Sequence, residues 1–415
     1  TTYYRRITRS GDCSSVFSNS VMITVNPQIN PGSVGSSQTI CHNTIPAQLT
    51  QLNAPSGGTG SFTFQWQSSP NNTTWTNIAG ATQASYSPPA LTASTYFRRN
   101  VTSGECGTVS SESVIITVNA VLTPGTIGSS QSICFNDIPS TLTQVSQPSG
   151  GTGNYTYQWQ SSPDNSTWTN IPGATLSSYS SQALTVNTYF RRNVSSGNCG
   201  SLSSNSVLIT VIPALVPGLI GTDQTICYNY SPGQLSQLTP PSGGTGSYAY
   251  QWQSSSNSTT WSDISGAVFP SYSPPALTSD RYYRLAVRSG DCYRITNTVL
   301  ISVNDPISGV QLHSSKTIST NTSTTFHIEI SGGESPFTIN YTRNGVVQPT
   351  LYNYESGNSI STGILTTGTY NYTLTSVTDA NGCNAQNLGY SITITVLSGE
   401  IFTSNSALVL VNSSA

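Results

Sequence analysis

A tryptophan recurs every 93 residues along this chain, at Trp66, Trp159 and Trp252, and a second follows at the same interval, at Trp75, Trp168 and Trp261. Each first tryptophan closes an alternating run such as Phe62-Thr63-Phe64-Gln65-Trp66, the period-2 pattern of a strand with one buried face. Turn residues (Pro70-Asn71-Asn72 in the first copy) break the run before the second tryptophan opens another short strand. A fixed period without slippage means one domain copied in tandem. A single core spread over all 415 residues is thereby excluded.

Composition narrows the function classes. Charged residues are 7% where about 25% is usual, and Ser, Thr, Asn and Gln take their place. Helical periodicity is absent, so the chain reads as all-β. The formal net charge is −2, and the arginines form no basic stripe that would neutralise phosphates or dock on anionic lipid. The longest apolar run, Val207 to Ile220, is broken by Thr210, Pro213, Pro217 and Gly218 and is too short to span a bilayer. Neither nucleic acid nor direct membrane insertion is expected.

Cys41, Cys134 and Cys227 follow the 93-residue period, and so do Cys13, Cys106, Cys199 and Cys292. Two cysteines per repeat, without the C-x-x-C spacing of zinc sites, point to one disulfide per domain. The expected pairs are Cys41–Cys106, Cys134–Cys199 and Cys227–Cys292, each 65 residues apart and contributing roughly 4 kcal/mol. Cys13 and Cys383 are expected to be unpaired in this segment, and Cys383 to carry no bridge within its own domain. Disulfides place the chain outside a reducing cytosol.

In order, residues 1–26 match the end of a repeat, 27–119, 120–212 and 213–304 are full copies, 305–397 is a diverged copy, and 398–415 begins a further domain. The expected strands of the first copy are 32–41, 47–52, 61–68, 74–78, 85–88, 95–103 and 113–118. Seven short strands with Cys, Trp and Cys in that order predict immunoglobulin-like β-sandwiches. Short proline-containing joints predict an extended, semi-rigid rod. In the diverged copy Tyr341 takes the tryptophan position and Ser319 the position of the first cysteine.

The run Gln-Trp-Gln-Ser-Ser, Thr-Trp-Thr-Asn-Ile, Thr-Tyr-Phe-Arg-Arg and Ser-Gly-x-Cys-Gly resembles the immunoglobulin-like repeats of giant Bacteroidota surface proteins, of the SprB-type gliding-motility adhesin kind. Gly332-Gly333, Pro336-Phe337 and Val377 to Cys383 are similar to the short repeat motif named after that adhesin. The resemblance implies type IX secretion, a place on the bacterial cell surface, and adhesion during gliding. Its implied partners are other domains of the same giant chain, outer-membrane anchoring or motility-machinery proteins, and surface polysaccharide.

Trp66, Trp159, Trp252 and Tyr341 read as core. Trp75, Trp168 and Trp261, beside Asn/Thr-rich turns, are candidate ligand-facing aromatics for sugar. Arg5, Arg98, Arg191 and Arg284 recur at one strand phase and are expected to lie against aromatic rings. His42 is matched by Phe135 and Tyr228 in later copies, and His313 and His327 occur only in the diverged one. No repeating carboxylate pair or Ser/His/Asp set appears, and Asp379 with Asn381 reads as a plain turn. The chain is thus read as a non-catalytic stalk or filament segment of an adhesin, with no cofactor and no metal ligands. The alternatives are a carbohydrate-binding array and a spacer within a large secreted enzyme.

Overall fold

The computed structural model describes residues 1–404 and 407–411, with side chains through Gly399. The chain divides into two compact units, Thr1–Val211 and Ile212–Ala415. The alternating run forms the strand Thr63–Ser69, whose burial pattern leaves Trp66 fully enclosed. It pairs antiparallel along its whole length with Thr95–Thr102, Trp66 opposite Arg99. Outward from there the sheet adds Val114–Val118 and then Gln38–Ile40 on one side and Thr76–Asn77 on the other, with Thr108–Ser110 also on Thr95–Thr102. All these contacts are antiparallel except one: Gln38–Ile40 runs parallel to Val114–Val118.

The facing layer is slight. Ser33–Val34 pairs with Gln51–Asn53, and single bridges join Asn30 to Ser56, Leu49 to Tyr86 and Thr44 to Leu91. The expected strand at 85–88 is therefore one bridge at Tyr86. Between the layers Val34, Leu49, Trp66, Phe97, Val114 and Ile116 form the core. Ile127, Leu142, Trp159, Phe190, Val207 and Ile209 repeat it 93 positions later. The indole N–H of each core tryptophan would be costly to bury alone. Trp66 donates to Gln83 O, Trp159 to Leu176 O and Trp252 to Phe269 O, at 2.9–3.0 Å.

Residues 1–26 carry the same register, with Thr2 opposite Ile23 as Thr95 is opposite Ile116. In the diverged domain Tyr341 is buried in the strand Phe337–Arg343. Its larger sheet keeps the parallel contact, Lys316–Ser319 against Ser391–Leu397. Its second sheet is longer, with Ile307–His313, Thr322–Gly332 and Ser359–Leu365 side by side. In the expected further domain, Glu400–Ser404 pairs with Ala407–Val411; 405–406 and 412–415 lie outside the described residues.

A buried arginine marks the first two repeats. Arg99 is fully enclosed, with its guanidinium 4.5 Å from the Phe64 ring centroid. Nη1 donates to Gln51 Oε1 at 2.8 Å and Ala84 O at 2.7 Å, and Nη2 donates to Pro31 O at 3.1 Å. Arg192 repeats the arrangement with Gln144, Ser177 and Pro124. Neither has a carboxylate partner, Nε of each is unsatisfied, and burial lowers both pKa values. The third repeat has Leu285 at this site, equally buried, and leaves Gln237 Nε2 without a partner. One scaffold thus accepts either a carbonyl-solvated cation or a hydrocarbon. Replacing a buried ion by a fitting apolar group is often neutral, whereas removing its partner is not. Arg99→Leu is expected to stay within about 1 kcal/mol of the parent, whereas Gln51→Leu loses about 1.5–3 kcal/mol; denaturant unfolding of each variant measures the difference.

The turn after the tryptophan strand is held by a side-chain oxygen. Asn71 Oδ1 accepts from the amides of Thr73 and Thr74, and Asn257 Oδ1 does so from Thr259 and Thr260. In the second repeat Asp164 takes this role. The Thr167 and Ser166 amides, with side-chain hydroxyl contacts, hold its carboxyl well below the usual carboxylate range. A depressed folded pKa contributes stability above the unfolded pKa of about 3.9 and loses it as pH falls toward the folded value. Asp164→Asn should lower stability modestly at neutral pH and flatten its decline below pH ~4, read from thermal melts across that range.

Candidate functional site: a cystine joint between repeats

The parallel contact decides where the cysteines go. Ile40 is opposite Val118 at the trailing end of the repeat, so Cys41 lies beside the exit of the chain. Thr95–Thr102 starts at that same end, since Thr95 pairs with Ile116, and runs back to the leading end. Cys106 follows it in the short 3-10 turn Gly104–Cys106. Seven strand steps, roughly 24 Å, therefore separate the two ends. Within each compact unit, the first cysteine of one repeat instead meets the second cysteine of the domain that follows it.

Cys41 is bonded to Cys199, with Cα atoms 5.2 Å apart, and Cys227 to Cys383, with Cα atoms 5.5 Å apart. The expected pairs Cys41–Cys106, Cys134–Cys199 and Cys227–Cys292 are therefore corrected. Cys106 is an exposed free thiol, as is Cys13, and Cys134 and Cys292 are both disulfide-bonded. Cys383, expected to be unpaired, has no bridge within its own domain but is joined to the preceding repeat. The closed loops are longer than expected: the 158 residues from Cys41 to Cys199 make the chain-entropy contribution roughly 5 kcal/mol.

Backbone contacts complete the joint. The amide of Asn119 donates to Ile40 O in the first repeat, while the next residue, Ala120, accepts from the Gly151 amide of the second. No residue of this connection is free. In the second unit the strand Val299–Asn304 leads through Asp305 to Pro306, whose carbonyl accepts from the Gly333 amide. The Gly-Gly-Thr loop, which the sequence suggests only as a hairpin break, is this linker clamp. Gly151 has φ +59°, and a Cβ there would lie 2.4 Å from Ser196 Oγ, so only glycine fits. Ser196 is fully buried, and its hydroxyl accepts from the Thr152 amide and donates to Asn154 O. An asparagine amide also rests on three of the second cysteines: Asn26 on Cys106 at 3.4 Å, Asn119 on Cys199 and Asn304 on Cys383 at 3.8 Å. Cys106 thus shares this asparagine contact with Cys199 and Cys383, but it is exposed where Cys383 is buried.

Trp75, Trp168 and Trp261 are half-buried. One face of each is covered by the guanidinium of Arg98, Arg191 or Arg284, at 4.1–4.2 Å from the ring centroid. Each of these arginines donates through Nε to a glutamine of the tryptophan strand at 2.7 Å. Arg5 lies over Phe17 at 3.9 Å. In the diverged domain Asp379 Oδ1 accepts from the amides of Asn381 and Cys383, closing a turn next to the cystine.

One constellation escapes the repeat logic. His313 and His327 are directly opposite on neighbouring strands, their rings stacked with centroids 5.1 Å apart, and Glu329 lies two residues on. The signal available in sequence is the alternation His327-Ile328-Glu329, which puts both polar groups on one face. Its third member, His313, comes in only through strand pairing.

Non-reducing proteolysis should yield linked peptides containing Cys41 with Cys199 and Cys227 with Cys383, whereas Cys13 and Cys106 alkylate without reductant; mass spectrometry reads both.

Among solved structures, the chain is similar to titin domains I67–I69 in an E-to-A variant, at 11% identity and TM-score 0.39, covering 68% of this chain and 100% of that one. It is also similar to the three N-terminal domains of the bacteriophage RB49 Hoc protein (12%, TM-score 0.36, 67% and 99%) and to Sidekick-1 immunoglobulin domains 1–4 (12%, TM-score 0.26, 90% and 99%). No curated protein matches the chain significantly. One family model matches residues 1–27, 30–120, 123–213 and 216–305, so the chain belongs to the family described as a domain of unknown function, DUF8696.

Proposed function

We propose that this chain is a covalently braced stalk segment of an extracellular adhesive protein, a mechanical spacer in which successive immunoglobulin-like repeats are locked together. The observation that carries this reading is the cystine joint, in which Cys41–Cys199 crosses between repeats beside a connection with no free residue. A disulfide inside a domain would stabilise that domain alone. One that crosses a joint limits bending there and diverts tension around the enclosed repeats. Under load, force entering at Cys41 passes through the sulfurs to Cys199, so most of the first two repeats lies outside the load path.

The finer reading rests on the resemblance of the repeat motifs: an SprB-type adhesin of a Bacteroidota cell surface, exported by the type IX system and used in gliding. A surface with few charges and many hydroxyls and amides gives weak electrostatic steering, which suits a spacer.

Stretching single molecules tests the mechanical reading. In oxidising buffer the 158 residues between Cys41 and Cys199 should not extend. Reductant should release roughly 500 Å of contour length per bridge. Equal contour lengths with and without reductant would remove the basis for a braced stalk.

A further inference from the structure

We propose that His313, His327 and Glu329 form a binding site for a divalent first-row transition metal, with Zn²⁺ the fitting ion. The three residues come from two adjacent antiparallel strands, Ile307–His313 and Thr322–Gly332. Strand alternation turns Phe326, Ile328 and Ile330 into the core and leaves His327 and Glu329 on the outer face. Cross-strand pairing then brings His313 opposite His327 and Gln311 opposite Glu329. One ligand atom from each of the three lies within 4.8 Å of the others. His313 Nε2 is 3.1 Å from Glu329 Oε2, and His327 Nε2 is 3.9 Å from Oε1. Bonds of about 2.0–2.2 Å to imidazole nitrogen and carboxylate oxygen need ligand atoms at about this spacing.

Two features distinguish the cluster from a plain ion pair. His313 Nε2 is buried and has no hydrogen bond despite its closeness to the carboxylate, because the approach has ion-pair distance without hydrogen-bond geometry. The two rings also stack at an interplanar angle of 16°, which sets both imidazoles side by side on the outer face of the sheet. Strand pairing holds the ligands in place before any ion arrives, and the exposed edge at Glu329 gives an entry path. Two imidazoles and a carboxylate suit zinc and its neighbours rather than calcium or magnesium, which take oxygen ligands. Three protein ligands leave a coordination position for solvent.

The test uses the full oxidised chain with Cys13 and Cys106 alkylated, since exposed thiols would themselves bind zinc. Calorimetric titration with Zn²⁺ near neutral pH is expected to show a single equivalent bound. His327→Ala and Glu329→Gln should each weaken it by at least about tenfold, the scale on which even outer-shell partners act, and His42→Ala should leave it unchanged. Co²⁺ should give a visible ligand-field band that both cluster variants lose, with far-UV circular dichroism showing the fold retained. No binding by the parent chain, or binding that survives in both cluster variants, would overturn the proposal.

Discussion

The parallel contact between Gln38–Ile40 and Val114–Val118 is the constraint on which the inter-repeat joint depends. A short strand early in the repeat is carried to the edge beside the last strand and points the same way, so Cys41, the residue after its end, emerges where the chain leaves the domain. The long strand Thr95–Thr102 runs the opposite way and delivers the second cysteine to the other end. Each repeat therefore has a sulfur at either end, like the two ends of a link. The diverged domain keeps the contact, Lys316–Ser319 on Ser391–Leu397, and keeps its leading-end sulfur at Cys383. Ser319 stands at the trailing end in place of the first cysteine, so that position supplies no disulfide to a following domain.

A domain with so few charges meets its internal polar needs in other ways. Indole N–H groups donate to backbone carbonyls, glutamines bridge strands, and arginines lie on aromatic rings. Among the described residues the ion pairs all involve Glu329 with a histidine. The buried Arg99 and Arg192 are solvated by carbonyls, an amide oxygen and a ring face, and Leu285 shows that hydrocarbon fills the same space. The facing layer of each repeat is little more than a two-stranded pair and three bridges. A sandwich with so slight a second layer buries little apolar surface, and cross-links between neighbours supply constraint that the core does not.

Much of the single repeat is legible without coordinates. Trp66, Trp159, Trp252 and Tyr341 sit in the core because alternation and burial are local properties of a strand. The Arg98-type residues lie on rings because a long cation on the same sheet face as a half-buried indole has few better places. Less legible is the Gly-Gly-Thr loop, whose composition reads as a turn while its geometry reads as a clamp on the incoming linker. The histidine pair is invisible as a pair, since 14 residues separate its members and only the register of two strands sets them side by side.

Periodicity and alternation were enough to establish that one all-β module is repeated every 93 residues, which residues make its core, and that two sulfurs belong to each copy. They left open which sulfurs meet. A spacing of 65 within a repeat and one of 158 between repeats differ by a full period, so a periodic sequence is equally consistent with both. The choice was made in three dimensions, because the strand directions put the two cysteines of one repeat at opposite ends of an eight-residue strand, beyond the reach of a disulfide.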